Sequence, residues 1–423
     1  MKNSKPISPR GLLLRIGPGI LVAATGVGAG DLATGAFTGN KLGVTVLWAV
    51  LLGAFLKFVL NEGLMRWQLV TGETLLEGAI HRLGRLVSFV FLGYLLLWSF
   101  FVGSALMSAC GVTMHAIAPI FESAKVGKVV FGVLHSMLGL GLALFGGFVL
   151  FEKVMGFCIA VMFFVVLTTA GLVGSEWREI GVGLLIPRIP NLAGEGLGWT
   201  VALMGGVGGT LTVLCYGYWI RETGRTDTTY LASSRIDLGV AYLATAFFGA
   251  GMVIIGSAMP PLPPGGGATL VVQLAAALEQ TSLGSVGKWA FLIGAWGAVF
   301  SSLLGVWQSV PYLFADFWQM FMTRPETPLN PVNRKGWPYR GYMLGIAIVP
   351  MLGLFVNFSQ VQKVYAIFGA LFMPMLALVL LILNGKKDWV GQFRNRPTTV
   401  GVLVATLLLF LFFGYLELQK QFG

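Results

Sequence analysis

Two glycine clusters carry the chain's most distinctive chemistry: Gly26-Val27-Gly28-Ala29-Gly30-Asp31 and Gly205-Gly206-Val207-Gly208-Gly209-Thr210. Each lies inside an apolar stretch long enough to cross a bilayer. Glycine in a helix interior costs roughly 1 kcal/mol relative to alanine, so both clusters need a physical reason. Close packing of helices is one, because small residues let backbones approach in membranes. Unwound backbone lining a cavity at membrane depth is the other. Two such interruptions at matching places in two halves point to the substrate site of a secondary transporter.

Asp31 follows the first cluster near the expected midplane, where an ionisable residue is costly and a functional candidate by default. Unwinding beside it would free carbonyl oxygens around a carboxylate. Such ligands suit a hard cation such as Mg²⁺, Ca²⁺ or Mn²⁺. Asp31 could equally cap the second half of an interrupted helix. The first cluster therefore offers Gly28, Ala29, Gly30 and Asp31 as site residues. The second offers Gly208, Gly209, Thr210 and Thr212, which bring carbonyls and hydroxyls. No thioether, imidazole or thiolate stands at that break, and Cys215 is about one turn away, so a soft-metal site is not supported. Mg²⁺, which keeps several of its waters, would need few side-chain ligands. A single carboxylate would also serve as counter-charge to an organic cation.

Other polar groups fall within apolar segments. Glu62 and Arg66 have i, i+4 spacing and read as an ion pair or gate contact. Lys57 lies deeper, to snorkel or to pair with an acid elsewhere. Ser301, Ser302 and Gln308 either bond across helices or line a path. Asp316 reads as solvated near a helix end, and Arg221-Glu222 as a charged helix end with aromatic anchors. Cys110, Cys158 and Cys215 read as small buried hydrophobes. His81, His115 and His135 are scattered, without i, i+4 spacing for zinc.

The elements that must position these residues are helices. The chain is 56% hydrophobic and 11% charged, against about 25% charged residues in soluble domains, with a mean hydropathy of +0.82. Eleven spans are predicted, at 14–37, 43–67, 86–118, 126–149, 152–173, 199–220, 236–258, 287–320, 341–357, 362–384 and 398–415. The first follows a short polar tail without a small-residue cleavage site and reads as a retained helix. With the N-terminus inside, 19 of the 28 Lys and Arg fall on the inner side and 8 on the outer, with Lys57 within a span. That distribution predicts N-in and C-out. The +11 charge then reflects topology and anionic lipid rather than a nucleic-acid partner.

The longest connections are 174–198, 259–286 and 321–340. The second begins with a proline-glycine run from Met259 to Gly267, after which Thr269 to Gln280 could form a short interfacial helix. The first ten spans divide into five-helix units at 14–173 and 199–384, each opening with a glycine-interrupted helix, with 398–415 as an addition. A repeated odd-numbered unit must be inverted across the membrane. The fold expected is an all-α polytopic membrane protein of one transmembrane domain.

Taken in order, several motifs resemble the Nramp family of divalent-metal transporters. They are Gly17-Pro18-Gly19 at the head of the first span, the interrupted first and sixth helices, and Thr71-Gly72-Glu73-Thr74-Leu75-Leu76-Glu77 after the second. Ser301-Ser302 with Gln308 in the eighth completes the set. The resemblance covers essentially the whole chain. It implies the LeuT-type inverted-repeat fold and alternating access, with the first and sixth helices rocking against the third, fourth, eighth and ninth. Family members typically carry Asp-Pro-Gly-Asn where this chain reads Gly28-Ala29-Gly30-Asp31, and Met-Pro-His near Leu211-Thr212-Val213-Leu214. The third-span acids of proton-coupled members are also missing. The resemblance is thus to a divergent branch, and related members lacking the Met are associated with magnesium.

The expected function is a transporter or facilitator for a hard divalent cation, Mg²⁺ or Mn²⁺, without a dedicated proton relay or cofactor. A bacterial cytoplasmic membrane is the expected setting. The alternatives are a transporter of an organic cation or polar metabolite on the same fold, and a non-transporting sensor or partner subunit. No nucleophile–base set or cofactor motif points to an enzyme.

Overall fold

Backbone polar groups find no water in hydrocarbon, so a chain this apolar must satisfy them within its own helices. The computed structural model describes residues 17–145, 147–173, 176–192, 194–261, 270–280, 284–322 and 332–422, and among them there is no β-strand. Wherever they are described, the eleven predicted spans are helical over most of their length. Among the described residues, eight helical stretches are each long and apolar enough to cross a bilayer. Two of the three differences from eleven have local causes. The first and second spans run together as one stretch, Gly30–Thr71, turned at Gly43, whose φ is 68°. The ninth is divided into an α-helix, Trp337–Ile348, and a 3₁₀ segment, Val349–Phe355, that begins beside Pro350. The ring of Pro350 cannot donate to an α-helical ladder.

The sixth span is the interior element, with 94% of its most apolar window buried, whereas the eleventh, packed on the tenth, is 22% buried. Around the first and sixth spans stand the second, third, seventh, eighth and tenth. The seventh runs along both halves of the first, and the eighth along its middle. The interfacial helix expected over Thr269–Gln280 is present as Leu270–Glu279, while residues 262–269 lie outside the described residues.

Two short helices emerge in the connections. Leu75–Leu83 starts with a reciprocal cap: the Thr74 hydroxyl accepts from the Glu77 amide, and the Glu77 carboxylate accepts from the Thr74 amide. Trp177–Leu185 lies in the 174–198 connection. The second span, 25 residues from Leu47 to Thr71, separates two polar ends. Lys41, Glu195 and Lys363 meet at one end, and Glu62, Arg66 and Arg235 at the other.

Candidate substrate site at the helix breaks

The two glycine clusters face each other. A Cβ on Gly30 would lie 2.3 Å from the Gly206 carbonyl oxygen, and one on Gly26 would lie 2.7 Å from the Gly209 nitrogen. Close packing therefore accounts for Gly26, Gly30 and Gly206. It does not account for Gly208 and Gly209, whose φ values of 73° and 85° lie in the region that L side chains avoid.

The interruption of the first span takes a different form from that of the sixth. Its backbone is not unwound: Pro18–Gly26 is α-helical, Val27–Thr34 is π-helical and Gly35–Leu42 is α-helical again. Ser302 explains the change. Its hydroxyl accepts from the Gly28 amide at 2.9 Å and donates to the Ala24 carbonyl at 2.9 Å. Those two groups would pair with each other in an α-helix; a side chain inserted between them opens the ladder. Ser302 thus bonds across helices, whereas Ser301 donates to Ala298 in its own helix.

The sixth span is unwound. Helix Gly196–Gly206 ends, Val207 to Thr210 leave helical geometry, a 3₁₀ turn spans Leu211–Leu214, and Cys215–Glu222 resumes the α-helix. Thr210 Oγ1 accepts from Trp98 Nε1 at 2.8 Å, and Thr212 is buried beside Gly209.

Asp31 lies in the π-helical stretch and is 0% exposed. It does not cap its own helix, because the residue preceding Gly35–Leu42 is Thr34, with no side-chain cap bond. Instead its Oδ2 accepts the Gly208 amide at 3.2 Å, reaching across to the sixth span. Its Oδ1 has no hydrogen-bond partner. Gly249 of the seventh span keeps the space beside that oxygen free of a side chain. Gly28, Gly30, Gly208 and Gly209 are gathered here; Ala29 belongs to the same stretch, but its side chain lies outside the described residues.

Lys57 completes the break, and it neither snorkels nor forms a close ion pair. It is 1% exposed, and its ammonium donates to the carbonyls of Gly205 (2.6 Å), Val207 and Gly209. The three carbonyls stand at the C-terminal end of the first half-helix and just beyond it, where the helix dipole is negative. Asp31 and Lys57 interact through space without coming within 4.0 Å. Among the described residues, no group of three or more His, Cys, Asp or Glu could hold a metal ion.

The family model described as natural resistance-associated macrophage protein-like, Nramp, matches residues 19–418. The chain belongs to the Nramp family. No curated protein matches the sequence. In structure, this Nramp-family chain is similar to a mutant of the Eremococcus coleocola manganese transporter, with a TM-score of 0.73 and 19% identity over 99% of this chain and 90% of that one. It is also similar to MhsT in complex with L-phenylalanine, with a TM-score of 0.62 and 16% identity over 99% and 100% of the two chains. These likenesses show the LeuT-type fold. The family consists of membrane transporters and not enzymes.

Side chains at both ends of the Nramp-family fold tie its elements together. At the Lys41 end, Glu195 accepts from Lys41 at 2.8 Å and Lys363 at 3.4 Å, and both ammonium groups stand 5.7 Å from the Trp199 ring. The hydrogen bond from Lys41 holds the Glu195 carboxyl below the usual carboxylate range. At the opposite end, buried Asp237 of the seventh span accepts from the Gly19 amide, Tyr216 Oη and Arg225. That arrangement ties the start of the first span to the second half of the sixth.

Asp316 was expected to be solvated, but it is 2% exposed and accepts from Tyr218 Oη at 2.5 Å. An aromatic hydroxyl from the sixth span replaces its water. Arg221 reaches Glu77 at 2.9 Å, so it is a tie between elements as well as a helix end. Glu62 pairs with Arg66 at 3.2 Å and with Arg235 at 2.8 Å, and Gln308 accepts from Trp219 Nε1 at 3.5 Å; neither reaches the break. Asn61 and Tyr242, bonded to each other at 3.1 Å beside Gly208, were not singled out from sequence. The polarity of Asn61 within an apolar span was the available signal.

Proposed function

We propose that this chain is a secondary transporter that carries a hard divalent cation, Mg²⁺ or Mn²⁺, by alternating access, with Asp31 as its charged ligand. One observation carries the reading: Asp31 Oδ1 is fully buried, has no hydrogen-bond partner, and stands where the π-helical stretch meets the unwound sixth span. A buried oxygen of that kind is costly unless a ligand satisfies it in part of the cycle. The manganese carried by the Eremococcus coleocola transporter supports the cargo class. Neutral ligands would come from carbonyls near Gly28 and Gly208 and from Thr210 and Thr212. Residues 14–173 and 199–384 would form the inverted repeats, with the N-terminus inside and the C-terminus outside. The third span carries no acid, which supports transport without a proton relay.

A second reading, a small polar solute such as an amine or zwitterionic metabolite, is favoured by Lys57. An ammonium beside Asp31 opposes a dication but matches a ligand that needs both charges. Flux assays on proteoliposomes separate the two. Saturable Mg²⁺ or Mn²⁺ entry, lost in Asp31→Asn, is the expected result. Wild-type vesicles that exclude both metals yet exchange a labelled amine or amino acid would overturn the metal reading in favour of the second.

A further inference from the structure

Unwinding a membrane helix strands carbonyl oxygens that no water can reach. In the sixth span three of them, from Gly205, Val207 and Gly209, converge on one point, and that point is occupied by the Lys57 ammonium. An ammonium has three donors and no acceptor, so three carbonyls saturate it. Converging backbone carbonyls are also the ligands with which membrane proteins replace the water around a small monovalent cation.

We infer that the unwound sixth span forms a monovalent-cation site and that Lys57 fills it with a cation of the chain's own. The proposal concerns the same break as the proposed function but not its cargo. Lys57 is fixed to the second span, a single uninterrupted helix from Leu47 to Thr71. Its charge therefore stays with the protein when the cargo leaves. Asp31 on the first span is a charged group that acts on it through space. The break itself then holds one anion and one cation, and no dissociable ion is needed to keep the unwound segment in shape.

A lysine that merely capped the half-helix would predict a different response to removal. Its loss would weaken the protein equally in every salt. A cation site instead predicts that Lys57→Ala vacates a pocket which a free small cation can enter. The test is thermal unfolding of the purified protein, at constant ionic strength, titrated with NaCl, KCl or methylammonium chloride in place of N-methylglucamine chloride.

Wild type is expected to show no cation-specific change. Lys57→Ala is expected to unfold at a lower temperature and to regain at least about 2 °C, saturably, with sodium, potassium or methylammonium. Equal unfolding temperatures of Lys57→Ala in all four salts would overturn the proposal. So would a saturable sodium or potassium effect on wild type, because the site would then not be filled by Lys57. If Lys57→Ala does not fold, Asp31→Asn/Lys57→Ala keeps the three carbonyls without an unpaired buried charge. It is titrated in the same way and read by the same criterion. The readout involves no divalent metal, so failure of the cargo assignment leaves it intact.

Discussion

The carboxylate of Asp31 accepts the backbone amide of Gly208, 177 residues further along the chain. This single bond joins the two interrupted spans at the level where each departs from α-helical geometry. It leaves one carboxylate oxygen unsatisfied and places the acid within electrostatic reach of Lys57. The consequences of that arrangement can be measured.

Asp31→Asn keeps the size of the side chain and an acceptor for Gly208, but removes the charge. It leaves the Lys57 ammonium buried without a counter-charge, which is costly even though the two groups are not in contact. Lys57→Met should cost a similar amount for the opposite reason. The double variant Asp31→Asn/Lys57→Met should be more stable than the two single losses predict. Unfolding of the four proteins checks this, and additive losses would show that the two charges are independent.

Gly208→Ala should lose both transport and stability. The left-handed backbone there costs a non-glycine residue roughly 1–2 kcal/mol, and the new Cβ would meet the Tyr242 ring at 2.9 Å. Gly72→Ala is the matched control: its φ is 77° in the left-handed region, but no atom lies within 4 Å of the added carbon. The drop in unfolding temperature should be larger for Gly208→Ala, and uptake should fall only in that variant.

Adjacent serines should behave differently. Ser302→Ala removes the hydroxyl that satisfies Gly28 and Ala24 in the opened ladder, a loss of about 1–3 kcal/mol. Ser301→Ala removes only a bond to Ala298 in its own helix and should cost less. Unfolding and uptake of the two variants side by side decide the matter; equal effects would remove Ser302 from the site.

The tie at the Lys41 end should respond to acid in one direction. The folded Glu195 carboxyl is held below its ordinary value of 4.5, so its contribution is present above that value and is lost as pH falls through the lower one. Glu195→Gln reproduces the acid form at neutral pH. It should therefore speed thiol labelling of Thr200→Cys, next to Trp199, in a background without other cysteines. Labelling that is unchanged by Glu195→Gln at neutral pH would show that this contact does not close the site.

Much of the fold was legible before any coordinates. Mean hydropathy and segment length located the eleven helical segments, because a bilayer admits few other solutions for so apolar a chain. The spacing of Glu62 and Arg66 predicted their ion pair, since four residues along a helix bring side chains together. The glycine clusters marked where the first and sixth spans depart from regular geometry. The Thr74–Glu77 cap was not singled out, although its signature, a threonine followed three residues later by a glutamate, stands in the sequence.

Tertiary structure alone decided how the two interruptions differ and what fills them. Composition cannot tell a π-helical stretch from an unwound one. The distinction rests on Ser302, which is brought from 274 residues away to occupy the ladder between Gly28 and Ala24. Nor could local pattern place Lys57. A lysine in an apolar span must find oxygen ligands, but nothing in its neighbours says whose. Its partners lie 148 to 152 residues later, on carbonyls that become available only because Gly208 and Gly209 turn the backbone out of the helix. Periodicity reports which residues share a helix face, while the charge balance of the break depends on which faces the packed helices bring together.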